Sequence, residues 1–404
     1  MVLILRHPQD FRSYLSLHIL PFSIFFLILF LIFFSFDLYE PIYFRFDREF
    51  LSSASLALIL SFFLGLGYFY FGKPLGLPIS PYTNFLIFYF IFSILFFFSR
   101  RFLFQKIKIQ RSIIFVGKSH PLLEEIKSFL KENSHLSLQL KIFDNFEKIP
   151  RIKKTDFLVV NLPSEKIPLS KLNFPINFFT LENFYIYLFR KIPIEFLDKK
   201  EILERISKSP PFYYFFIKRF FDILIAIPGI LLVVFLTPFV FVGIKLSSSG
   251  PIFIKQKRVG QFGRIITIYK FRTMHQTSKK GDFWTKPNDP RIFPFGRFLR
   301  KTHIDEIPQA LNILKGELTF IGPRAEFVKI VEDLKDKVPY FNLRHLVKPG
   351  ITGWAQLMAG YGSSEKDYIQ KISYDLYYLA NRNLAFDLLI FLKTIKEIFK
   401  MRGR

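Results

Sequence analysis

Cysteine is absent from this 404-residue chain. That absence excludes disulfide scaffolds, thiolate nucleophiles and Cys-based zinc or iron–sulfur sites. Acidic residues are few: 32 Asp and Glu stand against 57 Lys and Arg, a formal charge of +25. The imbalance is uneven. Residues 1–99 carry five basic and five acidic side chains, so the whole excess lies in residues 100–404. Hydrophobic residues make up 50% of the chain, too many for a disordered or ordinary soluble protein. A neutral apolar third followed by a basic two-thirds points to a membrane anchor and a part facing anionic headgroups. Nucleic acid is the other common partner of such charge. It is not expected here, because the basic part is itself interleaved with long apolar stretches.

The uncharged runs are long. Residues 14–36 contain no Asp, Glu, Lys or Arg and only His18 besides, and 51–72 and 82–98 carry no charge. A bilayer core of ~30 Å takes ~20 helical residues, so the first two read as spans and the third as a short one. Residues 1–36 do not read as a signal peptide, since the apolar run is too long and no small-residue cleavage site follows. Arg45, Arg48, Arg100, Arg101, Lys106, Lys108 and Arg111 fall on one side of three spans, and Arg6, Arg12 and Lys73 on the other. The larger set predicts its own side as cytoplasmic, with the N-terminus outside.

Residues 100–206 read as a small Rossmann-like α/β unit. Ser112–Val116, Leu136–Phe143 and Asp156–Val160 have strand patterns, and Pro121–Lys131 has helical spacing. The dinucleotide fingerprint is missing: Gly117 is followed by Lys118-Ser119-His120-Pro121, and without further glycines a pyrophosphate does not reach the backbone. A degenerate unit that binds no cofactor is expected.

Phe220–Ile244 is a fourth apolar stretch, interrupted by Asp222, Pro228, Gly229 and Thr237-Pro238. Both flanks are basic, with Lys218 and Arg219 before it and Lys245, Lys255, Lys257 and Arg258 after. That suits a segment of about 218–246 that enters the bilayer and returns, and equally a kinked span. Pro238 frees the Val234 carbonyl, which the Thr237 hydroxyl can take up. At the other end, Phe386–Arg404 alternates leucines and lysines at helical spacing, an amphipathic helix for the bilayer surface or for the domain.

Three clusters carry the candidate chemistry. The first runs from Gly250 to Met274 and holds Lys270 and Arg272; the third runs from Lys348 to Gln356. The second contains Arg297, Arg300, Asp305-Glu306 and Gly322-Pro323-Arg324. Asp305-Glu306 opens a helical run ending at Gly316, and Thr302 stands at capping-box spacing before it. Helix N-terminal amides with Arg297, Arg300 and Arg324 suit a phosphate. Adjacent acids can divide the work, one as nucleophile and one holding a divalent cation against phosphate oxygens. An isolated Asp-Glu pair more often merely caps a helix.

In order and spacing these clusters resemble the bacterial sugar transferases, the polyprenyl-phosphate hexose-1-phosphate transferases of the monotopic phosphoglycosyl transferase superfamily. The resemblance covers about residues 213–400 and takes in Tyr361-Gly362 and Tyr374-Asp375-Leu376-Tyr377-Tyr378. It implies a membrane α/β protein in three parts. These are transmembrane helices in 1–99, a degenerate Rossmann-like domain in 100–206, and a catalytic α/β domain in 207–404 with a re-entrant membrane helix and interfacial amphipathic helices.

The implied reaction passes a sugar-1-phosphate from a UDP-sugar to undecaprenyl or another polyprenyl phosphate. Asp305 is the implied nucleophile, releasing UMP and carrying the sugar phosphate covalently. Glu306 is implied as the ligand of Mg²⁺, or of Mn²⁺ in its place. Arg324 is implied to bind phosphate, with Arg300, Arg297, Lys270 and Arg272 completing the basic set. Lys218-Arg219 would sit at headgroup level and Thr237-Pro238 at the break of the re-entrant helix. Expected partners are the UDP-sugar, the polyprenyl phosphate, the lipid bilayer and the downstream glycosyltransferases of exopolysaccharide, O-antigen or capsule assembly. A homodimer suits the large members of the family. The expected location is the bacterial inner membrane, multi-pass, with the catalytic domain cytoplasmic.

Four features depart from the family pattern. Thr237-Pro238 stands where Ser-Pro is usual, Ala325 where Pro follows Gly-Pro-Arg, and His303-Ile304 where Ser-Leu precedes the dyad. Three N-terminal spans stand where large members have four. Two other readings compete. A membrane glycosyltransferase with a metal-binding Asp-x-Asp is disfavoured, since no two Asp residues stand two apart. An inactive scaffold of a polysaccharide assembly complex is disfavoured by the presence of Asp305, Glu306 and Arg324.

Overall fold

The computed structural model describes residues 11–36, 38, 48–71, 82–106, 111–133, 138–149, 152, 156–163, 167, 177–275, 289–360, 362 and 364–399. The chain forms two compact units, Met1–Leu181 and Glu182–Arg404.

Three apolar helices open the first unit: α1 (Phe11–Ser35), α2 (Arg48–Phe71) and α3 (Tyr82–Lys106). Their segments Leu17–Phe34, Phe50–Tyr70 and Asn84–Phe102 are each long and apolar enough to cross a membrane. The third helix outruns its uncharged stretch and continues through Arg100 and Arg101. Arg100 is accommodated because it donates to the Leu38 carbonyl and lies about 6 Å from the Phe50 and Phe96 rings. His18 likewise finds a partner inside the bundle, Asn84, at 3.0 Å. Phe25, Phe69 and Phe85 are fully buried where the three helices meet. Arg6, Arg45, Lys73 and Lys108, four of the cations that set the expected orientation, lie outside the described residues.

The same unit carries β1 (Arg111–Gly117), α4 (Pro121–Glu132), β2 (Leu138–Phe143), β3 (Phe157–Asn161) and β4 (Asn177–Thr180). The strands form one parallel sheet in the order β2-β1-β3-β4. Ile114, Val116, Leu158 and Val160 are buried together, which accounts for the unbroken apolar runs of β1 and β3. Three of the four strands follow the sequence pattern; four-residue β4 is too short to show one. Gly117 has φ 144°, and a Cβ there would collide with the Asn161 carbonyl of β3. The close approach of the two strand ends demands this glycine.

The second unit comprises α5 (Leu181–Phe189, from its second residue), α6 (Lys199–Ile206), α7 (Phe212–Ser247), β5 (Phe253–Val259), β6 (Ile265–Phe271) and α8 (Pro294–Lys301). A 3₁₀ segment, Ile304–Gln309, leads into α9 (Ala310–Leu314). Then come β7 (Thr319–Ile321), α10 (Val328–Leu334), β8 (Gly350–Thr352), α11 (Trp354–Met358), α12 (Glu365–Asn381) and α13 (Leu384–Phe399). β5 and β6 form an antiparallel pair, and β7 and β8 a parallel one.

The unit boundary falls after Leu181, not at the expected residue 206. The reason is packing. Ile192, Ile194, Leu197, Ile202 and Ile206 are buried in one core with Trp354, Ile372 and Leu376. Trp354 Nε1 donates to the Arg190 carbonyl at 2.9 Å, and the Ile192 amide to that of Ser373 at 3.0 Å.

α7 runs 36 residues without interruption through Pro228 and Pro238, about 54 Å at 1.5 Å per residue. The Thr237 hydroxyl donates to Val233 at 2.6 Å, its own i−4 carbonyl, and not to Val234 as the Pro238 argument predicts. Tyr214, Asp222, Ala226, Val233, Val240 and Ile244 form its buried face. Ala226 packs with Ile268, Ala310 and Ile313, whereas Val233, Val240 and Ile244 pack with Phe271, Phe293 and Leu299. The opposite face exposes Phe220, Phe235, Phe239 and other large apolar side chains. α13 buries Ile390 and Leu392 against the domain and leaves Leu388 and Ile398 exposed.

Candidate active site

The dyad sits on a tight turn whose shape is set by its neighbours. Thr302 belongs to the end of α8, where its hydroxyl donates to the Phe298 and Leu299 carbonyls at 2.9 and 3.2 Å. It is therefore a C-terminal cap and forms no capping box with Asp305, contrary to its spacing. His303 takes a left-handed conformation, φ 57°, and reverses the chain. Among non-glycine residues His is one of those that tolerate this region. Pro308 has no amide to donate to the Ile304 carbonyl, so the 304–309 turn is 3₁₀ before α9 begins.

Two cations from other elements converge on the dyad. Lys270, near the end of β6, donates to Glu306 Oε1 at 2.5 Å, and Arg324 Nη2 approaches the same oxygen at 3.3 Å. Burial alone would raise the Glu306 pKa. Lys270 and Arg324 outweigh it and hold the carboxylate well below the usual range. Asp305 behaves oppositely. Burial, then the adjacent Glu306 charge, push it up to about 6 against the pull of Lys270, Arg300 and Arg324. Two neighbouring carboxylates thus differ: one is ionised at any physiological pH, and the other is an unusually basic carboxylate. No hydrogen bond among the described residues ties down the Asp305 side chain, which leaves it able to act as a nucleophile.

A second ring of polar residues fixes these groups. Asn312, fully buried in α9, accepts from the Tyr269 amide at 3.2 Å and donates to the Thr267 carbonyl at 2.7 Å, locking β6 beside the dyad turn. The Arg324 loop is held at its backbone. Arg344 Nη2 donates to the Arg324 carbonyl at 3.1 Å and pairs with Asp375 Oδ2 at 2.9 Å. Arg258 Nη1 donates to Ala325 at 2.9 Å, and its guanidinium stacks 3.4 Å above the Phe327 ring. Gly350 of β8 lies so close to Gly322 that a Cβ on it would strike the Gly322 amide, so this pair of strands can pin the loop only with glycine there.

The sequence-predicted residues divide. Asp305, Glu306, Lys270, Arg324 and, through its charge, Arg300 are brought together. Arg297 is exposed on α8. Arg272 is turned away: its Nε, Nη1 and Nη2 go to Pro251 O, Ser248 Oγ and Ser248 O at 2.6, 2.9 and 2.8 Å, closing the turn after α7. Lys218 and Arg219 are engaged with protein. Lys218 pairs with Asp387 at 2.6 Å, and Arg219 donates to the Ile313 and Leu314 carbonyls at the end of α9. Arg258 stands in the first sequence cluster without an assigned role, and neither composition nor spacing points to Asn312 or Arg344 as site residues; the one signal for Asn312 is a polar residue between Leu311 and Ile313.

No group of three or more His, Asp or Glu side chains gathers around a common point among the described residues. A divalent cation would have the dyad alone. Both protein cations bond Glu306 Oε1, and Oε2 has no hydrogen bond among the described residues. One or two carboxylates completed by water and substrate phosphates is the donor set Mg²⁺ takes in phosphate chemistry, so these residues fit it.

The profile of the bacterial sugar transferase family matches residues 213–401. The chain is 43% identical over 193 residues to the UDP-N-acetylgalactosamine-undecaprenyl-phosphate N-acetylgalactosaminephosphotransferase of Aeromonas hydrophila, covering 48% of this chain and 46% of that protein. It is 37% identical over 188 residues to the UDP-glucose:undecaprenyl-phosphate glucose-1-phosphate transferase of Escherichia coli K12, covering 45% and 40%. The chain thus spans less than half the length of these two relatives. The exopolysaccharide production protein PSS of Rhizobium leguminosarum bv. phaseoli is matched over 98% of its own length and 46% of this chain, at 35% identity.

Proposed function

The chain belongs to the bacterial sugar transferase family, and from that membership we propose that it passes a sugar-1-phosphate from a UDP-sugar to undecaprenyl phosphate, the first step of a surface polysaccharide. The observation that carries the reading is the split dyad: a basic, unbonded Asp305 beside a Glu306 held anionic by Lys270 and Arg324.

The chemistry follows from those roles. An Asp305 oxygen attacks the β-phosphorus of the UDP-sugar. The bond from that phosphorus to the bridging oxygen breaks, and UMP leaves with the electron pair. An oxygen of undecaprenyl phosphate then attacks the same phosphorus, and Asp305 departs as carboxylate, giving undecaprenyl-diphosphate sugar. Lys270 and Arg324 hold fixed positive charge where the phosphoryl oxygens gain negative charge. Arg300 adds to that field from α8. Glu306, with donor phosphates, would hold Mg²⁺, or Mn²⁺ in its place, whose charge neutralises the diphosphate.

In this reading α7 enters the bilayer and returns. Its support is that both ends pack on one body: Tyr214 hydrogen-bonds Asp387 of α13 at 3.0 Å, while Ile244 is buried with Phe271 and Phe293. Between them lies an apolar exposed face. The catalytic unit then works at the cytoplasmic face of the inner membrane, where a water-borne nucleotide sugar and a lipid phosphate meet. Its product feeds the downstream glycosyltransferases of an exopolysaccharide, O-antigen or capsule.

The test is UMP release from a panel of UDP-sugars by purified protein in nanodiscs with Mg²⁺ and undecaprenyl phosphate. Release that requires the lipid and Asp305 establishes the class and names the sugar. Release unchanged in Asp305→Asn would overturn the assigned nucleophile.

A further inference from the structure

Asp222 is a carboxylate near the start of the apolar stretch of α7, and it is buried. Both its oxygens are engaged by a single short strand. Thr319 Oγ1 lies 2.9 Å from each of them, and the Phe320 amide donates to Oδ1 at 2.8 Å. A further chain of polar contacts links that strand, β7, to the same helix: Tyr378 OH donates to Asp387 Oδ1 at 2.9 Å and lies 3.3 Å from the Ile321 carbonyl, and Asp387 in turn pairs with Lys218 of α7. Tyr214, Lys218 and Asp222 stand four residues apart, on one helical face. The first turns of the membrane helix are thereby laced to β7 and to the helices behind it.

The strand matters because it leads directly into the loop of the phosphate-binding arginine. Ile321 is succeeded by Gly322-Pro323-Arg324, and Arg324 reaches Glu306. Arg344, Arg258 and β8 hold the far side of that loop; Asp222 holds the near side.

We infer that Asp222 is a positioning residue for the reaction: by gripping β7 it sets the place of the Arg324 guanidinium against Glu306. A salt link to solvent or a helix cap would not need both carboxylate oxygens spent on the strand preceding the phosphate-binding arginine. Replacing Asp222 by Ala leaves the Phe320 amide and the Thr319 hydroxyl buried without an acceptor, so β7 must shift to find one. Sub-ångström displacement of a charge at a reacting phosphate is costly in turnover. The inference rests on the proposed transfer reaction for its kinetic consequence, but not for its structural one.

Two measurements on the full chain in nanodiscs test it. Hydrogen exchange of the 319–325 segment should quicken by about tenfold in Asp222→Ala, while the β5–β6 pair stays as in the parent protein. Unchanged exchange in 319–325 would overturn the inference without any substrate. In UMP release, Asp222→Ala should lower kcat by about 10- to 100-fold with KM for the UDP-sugar moved less than about threefold. Asp222→Asn keeps the acceptor for Phe320 and Thr319→Ser keeps the hydroxyl, so both should stay near the parent; Thr319→Val should fall with Asp222→Ala and serves where that variant does not fold. In an Arg324→Ala background, Asp222→Ala should cost less than about threefold, since what it positions is gone. An equal loss in both backgrounds would make Asp222 a general stability residue and refute the positioning role. A parent protein inactive on every UDP-sugar would count against the proposed reaction alone, and the exchange result would still decide this point.

Discussion

The Lys270 ammonium and Glu306 Oε1 stand 2.5 Å apart, with both side chains largely buried. A buried pair of this kind is easy to break and hard to replace. Lys270→Met leaves Glu306 with Arg324 alone in a place that disfavours its charge, and removing one partner of such a pair costs about 3 kcal/mol or more. Thermal unfolding in detergent should show Lys270→Met well below the parent protein. Adding Glu306→Gln should recover most of that loss while leaving turnover abolished. A double variant no more stable than Lys270→Met would mean that the two side chains are not energetically coupled.

Asp305, raised to about 6 from an ordinary value of 3.8, makes two pH-dependent predictions. Only the carboxylate can attack phosphorus, so kcat/KM should rise about tenfold per pH unit below about 6 and level off above it. The stability effect has the opposite sense. A carboxyl that ionises less readily in the folded chain than in the unfolded one gives stability at low pH that is lost as pH rises from about 4 through about 6. Asp305→Asn escapes that loss, so its advantage over the parent protein should be about 3 kcal/mol at pH 7.5 and vanish near pH 4. Unfolding midpoints of the two proteins that run parallel across this range would show that Asp305 has an ordinary pKa. The same variant, purified from cells, should carry no sugar-phosphate adduct by mass spectrometry.

The parts legible in the sequence are those where one property decides the outcome. Runs of uncharged residues mark α1, α2 and α3 by length alone, and Asp305, Glu306, Lys270 and Arg324 stand in motifs whose order is specific. The parts that are not legible depend on direction. Arg272 follows Lys270 by two residues, and strand alternation would put both on one face. β6 ends at Phe271, however, and Arg272 swings onto the turn at 248–251. Thr302 has capping-box spacing yet caps the helix before it, because His303 reverses the chain between them. Asn312, Arg258 and Arg344 are single polar residues whose roles lie in which distant carbonyl each one meets. Residues 192–206 carry an amphipathic pattern that says they pack, but not that Trp354 and Ile372 are what they pack against.

Gly117 offers a test of the parallel-sheet unit. The turn after β1 lacks further glycines, and Gly117 lies close against the Asn161 backbone; the expectation is that no pyrophosphate binds there. Titration of the purified protein with NAD⁺ and NADPH should show no saturable binding. Gly117→Ala, with φ 144° and a clash against β3, should lower the unfolding midpoint while leaving UMP release from the surviving protein near normal. Saturable micromolar binding of either nucleotide, lost in Gly117→Ala, would instead make that turn a cofactor site.

The course of α7 through the bilayer can be read by labelling, and the absence of cysteine makes the experiment clean. At about 54 Å the helix is long enough to cross a core of ~30 Å, so length does not separate crossing from return. Packing does. Val240 and Ile244, near its end, are buried with Phe293 and Leu299, and the second of these precedes Asp305 by only six residues. A helix that crossed would carry those residues, and the dyad with them, to the far side from Lys218 and its partner Asp387. Ser209→Cys and Ser249→Cys place single thiols at exposed positions on the two flanks. A membrane-impermeant maleimide added to intact spheroplasts should label neither, and the same reagent added to inverted vesicles should label both. Labelling of Ser249→Cys alone from outside would mean that α7 crosses, and would put the catalytic residues on the wrong side of the membrane for a nucleotide sugar.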